Sequence, residues 1–88
     1  MGTPILIAVT QDHIDNGVVG SASRCPVSLA VKDRSGCDRA VSNPSFIMGL
    51  KSGRTRFTVE TPSVVIDFIG EFDREHKVEP FTFELEDI

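Results

Sequence analysis

The sequence predicts an α+β fold of the ferredoxin-like type, a βαββαβ sandwich with two helices on one face of a mainly antiparallel sheet. Three observations lead there. Residues 61 to 86 read as one capped helix followed by one strand, residues 5 to 9 as a β-branched strand, and residues 26 to 60 as a proline-started helix followed by short alternating runs. The order is strand, helix, strand or strand pair, strand, helix, strand.

Ile5 to Val9 carries Ile5, Ile7 and Val9 on one face and Leu6 and Ala8 on the other, and two apolar faces suggest a strand inside the sheet. Thr10 then caps a short helical turn through Asp15, which Asn16 and Gly17 close, glycine being suited to a left-handed stop. Val18 to Arg24 is small and polar enough for a loop whose two valines pack back on the core. Cys25 and Pro26 open a helix that runs to about Ser35, with Val27, Ala30 and Val31 on one face and Gly36 as its stop. Lys32 and Arg34 fall in its last turn, where positive charge suits the helix dipole.

Cys37 to Val41 and Phe46 to Leu50 are either two strands joined by a turn at residues 42 to 44 or one longer strand with a bulge there. Residues 51 to 54, KSGR, signal a tight turn, after which Phe57 and Val59 alternate with Arg56 and Thr58. Thr61 is expected to cap the next helix and Pro62 to begin it, since proline at the first helical position lacks an N–H that would be unpaired anyway. Val64, Val65, Phe68, Ile69 and Phe72 share its core face, and Ser63, Asp67, Glu71 and Arg74 the wet one. After a polar exit the period becomes two, with Phe81, Phe83 and Leu85 against Thr82, Glu84 and Glu86.

A chain of 88 residues reads as a single domain, 1–88, because so short a chain buries only about two thirds of its unfolded surface and cannot support two cores. No run approaches a membrane span, and residues 4 to 9 are too short for a signal peptide and lack a basic flank, so a cytoplasmic protein with no membrane partner is expected. The formal charge of −4 conceals an asymmetry: residues 61 to 88 hold eight acidic and two basic side chains, residues 24 to 56 seven basic and two acidic. Overall acidity, with no Tyr or Trp to stack on bases, argues against nucleic acid as a partner.

Cys25 is the candidate reactive thiol, because it stands at a helix N-terminus beside Arg24. A small buried cap residue is the favoured reading of it. A disulfide to Cys37 is not expected to be constitutive without a secretory signal. The spacings of Cys25, Cys37, His13 and His76 match no zinc pattern, so no metal and no cofactor is expected. His13 is expected to bond a nearby backbone carbonyl. Lys51, Arg54 and Arg56 surround one hairpin and, with Arg39, form a candidate patch for an anion or an acidic partner surface. Asp67 and Glu71 on the wet helix face are the acidic counterpart. Phosphate-loop and serine-hydrolase motifs are absent from the sequence.

Val9-Thr10 with His13-Ile14 and Gly17, Cys25-Pro26-Val27 with Leu29-Ala30, Phe68-Ile69 with Phe72-Asp73, and Val78 with Pro80-Phe81, Phe83 and Leu85 form a succession. It resembles a group of small uncharacterised proteins encoded by bacteriophages and other mobile elements. The likeness spans nearly the whole chain in outline, except residues 37 to 53, and its anchors are fold positions. It implies a bacterial or phage source and life in the host cytoplasm, and it implies no catalytic residue. The expected function is a non-enzymatic binding protein that engages a host or viral protein, as a defence component or otherwise. The alternative is a protein that sequesters a small anionic ligand such as a nucleotide with Arg39, Arg54 and Arg56, in a pocket made by homodimer or larger assembly; a Cys25-dependent enzyme is third.

Overall fold

The computed structural model describes residues 5–75 and 77–85. Glu86 and His76, both named above, lie outside them. Eight elements follow in chain order: β1 (Ile5–Val9), α1 (Gln11–Asn16), α2 (Pro26–Ser35), β2 (Arg39–Ser42), β3 (Phe46–Lys51), β4 (Arg54–Glu60), α3 (Ser63–Asp73) and β5 (Phe81–Leu85). The chain is α+β, and the described strands form two antiparallel sheets, β1-β5 and β2-β3-β4. The expectation was one sheet with β1 inside it. Instead β1 has one strand neighbour among the described residues, and its second face is open, Leu6 being 54% exposed. The register accounts for the open face: Leu6 and Ala8 lie opposite Glu84 and Thr82, so that face of the ribbon is turned to water by its β5 half. The other face pairs Ile5 with Leu85, Ile7 with Phe83 and Val9 with Phe81 and is the core side.

The α2 helix joins the two sheets, packing on β1 and on β2 and β3. Its buried Val27, Ala30 and Val31 enter one cluster with Ile7, Val9, Ala40, Ile47 and Leu85. Its bounds are those the sequence predicts, and Gly36 takes the left-handed conformation that ends it, with φ 76°. The stop of α1 differs from expectation. Gly17 is extended, with φ −71°, and glycine is needed there for space: a Cβ would lie 2.6 Å from the ring of Pro26, where α1 docks on the start of α2.

Residues 37 to 50 resolve into two strands. Asn43 makes the turn between them, its Oδ1 accepting from the N–H groups of Ser45 and Phe46. The β3–β4 connection is the two-residue loop Ser52-Gly53, both at positive φ, the geometry that suits the twist of a tight hairpin. Thr61 does not cap α3. Its hydroxyl donates to the carbonyl of Asn43 at 2.6 Å, tying the second hairpin to the first turn, and Pro62 stands in the N-cap position, so α3 begins at Ser63. Val65, Phe68, Ile69 and Phe72 are buried as expected, but Val64 is 46% exposed. The apolar arc of α3 is wider than the core it faces. Val18 and Val19 also stay half exposed, their loop being pinned by the N–H of Gly20 to the carboxylate of Asp73.

Candidate functional site

A cleft of about 500 Å³ opens where the start of β1, the end of α2 and the β3–β4 hairpin meet. Ile5, Cys37 and Phe57 supply its apolar surface, and Arg34, Lys51 and Arg56 its charge, with the hydroxyls of Ser35 and Thr55 beside them. Among the described residues no acid lines it, and none of the three cations forms an ion pair. Cations gathered without a counter-charge leave a positive field in a concave, low-dielectric place, which is where an anion is held best.

Local sequence builds each wall. Gly36 turns the chain out of α2 so that Arg34, Ser35 and Cys37 reach the same opening, and the N–H of Cys37 donates to Ser35 Oγ at 3.3 Å. Along β4 the consecutive residues Thr55, Arg56 and Phe57 all line the cleft, although neighbours in a regular strand point to opposite faces. A bulge is responsible. The register steps from Gly49 opposite Phe57 to Leu50 opposite Thr55, which leaves Arg56 as the extra residue and re-aims it. Phe57 lies flat over Gly49: a Cβ there would stand 2.3 Å from its Cε1, so only glycine lets this ring form the floor. The hairpin tip is fixed from below by Asp38, whose Oδ2 accepts from the N–H of Ser52 at 2.9 Å.

The four-residue basic patch expected from the sequence is divided. Lys51 and Arg56 reach the cleft, and Arg54 stands at the start of β4 on the hairpin tip without lining it. Arg39 lines a different depression, of about 460 Å³, with Arg24 and Lys32. Arg34 takes the vacated place. Its position in the last turn of α2 suits the helix dipole, and nothing in its local sequence marks the approach of the end of α2 to a hairpin about twenty residues on. Of the two thiols Cys37, expected neither in a constitutive disulfide nor at a metal, is the one on the cleft.

Asp67 and Glu71 line a second groove, of about 420 Å³, between α3 and the run into β5, with Glu79 and Lys77 on its rim and Val64, Phe68, Val78 and Phe81 within it. The rings of Phe68 and Phe81 are 4.6 Å apart.

Cys25 is 3% exposed and caps α2, its Sγ accepting from the N–H of Ser28 at 3.4 Å. Both cysteines are free. His13 departs from expectation: Nδ1 accepts from the N–H of Thr10 at 3.0 Å, so Nε2 carries the proton and donates to Asp33 Oδ2 at 2.7 Å. The result is a capping box that also fastens α1 to α2. Among the described residues no group of three or more His, Cys, Asp or Glu could hold a metal ion, and no helix is long and apolar enough to cross a membrane. No family model, no curated protein and no solved structure matches the chain.

Proposed function

We propose that this chain is a small non-enzymatic binding protein whose cationic cleft receives an acidic segment of a partner protein. The observation that carries the reading is the set Arg34, Lys51 and Arg56 around a concave surface, with no ion pair and no lining acid among the described residues. Guanidinium groups suit carboxylates because they offer planar, two-pronged donation. The resemblance to phage and mobile-element proteins makes a host or phage protein in the bacterial cytoplasm the proposed partner. The test is binding of a fluorescent Asp/Glu-rich peptide by the wild type and by Arg34→Glu with Arg56→Glu, both shown to be folded by circular dichroism. Binding that weakens with salt and drops at least tenfold in the variant is expected. Equal binding by the two proteins sinks the proposal.

A second reading places a small anionic ligand, such as a nucleotide, in the same cleft. Its size and the apolar surface of Ile5 and Phe57 favour it, since ligand pockets span roughly 300–1,000 Å³ and are largely apolar. A rise in melting temperature with a nucleotide, lost in the same variant, would support this reading, and no shift across a nucleotide panel would remove it. The ferredoxin-like order is also proposed as the underlying plan, with α1 and one strand as additions. The antiparallel neighbourhood of the first and last strands, β1 and β5, supports it. Hydrogen bonds between β1 and β4 detected by NMR in solution would join the sheets as that plan requires; none would leave two sheets.

A further inference from the structure

Lys51 and Arg56 of the β3–β4 hairpin and the acids of the α3–β5 groove line different depressions of the molecule. The β3–β4 hairpin carries Lys51 and Arg54 directly opposite each other at its tip, with Arg56 behind them. Among the described residues, none of these three cations and neither Asp67 nor Glu79 takes part in an ion pair. Asp67 and Glu79 stand on the rim of the groove between α3 and β5, where Lys77 is the one cation among the described lining residues. The groove is also where α3 fails to bury its apolar arc: Val64 lines it at 46% exposure.

We propose that this groove is the docking site for the β3–β4 hairpin of a second copy of the same chain. A two-residue turn makes the hairpin tip narrow, and Asp38 holds it from behind, so it is a preformed wedge that loses little freedom on docking. The tip has no large apolar side chain to offer, and it needs none. The methylene stems of Lys51 and Arg54 lie along Val64, Phe68 and Phe81 while their charged ends reach Asp67 and Glu79 at the rim, the usual division of labour in long cationic side chains. The two surfaces are different, so the contact is heterologous. It closes into a dimer only if two copies exchange hairpins, and otherwise continues head to tail.

This inference goes beyond the cleft reading, and the two fail separately. The experiment is sedimentation velocity of the purified protein over a concentration series in low-salt buffer, repeated at high salt, with two charge-reversed variants. Asp67→Lys with Glu79→Lys alters the groove, and Lys51→Glu with Arg54→Glu alters the hairpin. All four residues are exposed, and circular dichroism checks that the variants fold. The wild type is expected to reach at least twice the monomer mass as concentration rises and to return to monomer at high salt. Each variant alone is expected to stay monomeric, because its two surfaces then carry the same sign. Mixing them restores complementary pairs and with them association. A wild type that stays monomeric throughout overturns the proposal, as does association that survives in either variant or a mixture that stays monomeric. The groove variant keeps Arg34, Lys51 and Arg56, so it must still bind the acidic peptide if the cleft reading is right. Loss of self-association with peptide binding intact separates the two outcomes.

Discussion

Replacing Gly49 by alanine tests the link between the hairpin's packing and the cleft. The added Cβ would lie 2.3 Å from Cε1 and 2.6 Å from Cζ of Phe57, and 3.0 Å from Cys37 Sγ. Ordinary contact begins near 3.4 Å, so the ring must retreat by at least 1.1 Å, the difference between 3.4 and 2.3. Phe57 is half-buried and its free side is the cleft, so the ring swings outward into the space an anion would occupy. A gap of that size forfeits about a quarter to a half of the dispersion contact on the abandoned side. Added to the distortion typical of overpacking, the cost should be about 2 kcal/mol. Urea unfolding followed by far-ultraviolet circular dichroism is the assay, since the chain has no Trp or Tyr to report by fluorescence. Without its ring, Phe57→Ala should accept Gly49→Ala at a reduced further cost, only the 3.0 Å approach to Cys37 Sγ remaining, a coupling of about 1–2 kcal/mol in a double-mutant cycle. The reasoning is refuted if Gly49→Ala costs less than about 0.5 kcal/mol, or if the two losses simply add.

Three further substitutions probe the core and the α1 clamp. Phe72→Ala removes a 9%-exposed ring stacked on Phe68 at 6.2 Å and should cost about 3 kcal/mol, the lower end for buried aromatics; a loss under about 1 kcal/mol in urea unfolding would contradict the facing of α3. Ser42 Oγ is buried with no hydrogen-bond partner among the described residues, so Ser42→Ala should leave stability unchanged or raise it by about 1 kcal/mol, and a clear loss would reveal a partner for that hydroxyl. His13→Ala removes both halves of the link from Thr10 to Asp33 and should cost about 1 kcal/mol. Because α1 buries no residue of its own, the amides of Ile14 and Gly17 should then exchange faster while those of β3 hold, a pattern hydrogen exchange reads directly.

The sequence made legible the features whose cause is local. Cys25-Pro26 and Gly36 bound α2, SerGly turns the hairpin, and the alternation of Phe81, Phe83 and Leu85 with Thr82 and Glu84 marks the buried face of β5. What sequence left hidden depends on residues far apart in the chain. Two apolar faces on β1 suggested a central strand, but the exposure of Leu6 is decided by Glu84, opposite it across the ribbon. Thr61 has the chemistry of a helix cap, yet the carbonyl of Asn43 in another turn takes its hydroxyl. The cleft follows the same rule. Lys51 and Arg56 were visible as hairpin charges, whereas Arg34 joins them only because α2 ends beside that hairpin, and Arg56 faces it only because one strand holds a residue more than its partner. That extra residue bears on the proposed function as well as on form. Without the bulge Arg56 would point away from Thr55 and Phe57, as alternation requires, and the cleft would lose one of its three cations. A strand defect and a glycine under a phenylalanine thus set both the charge and the floor of the cleft, so substitutions that disturb the bulge or the packing of Phe57 on Gly49 should weaken the proposed anion binding and the stability of β3 and β4 together.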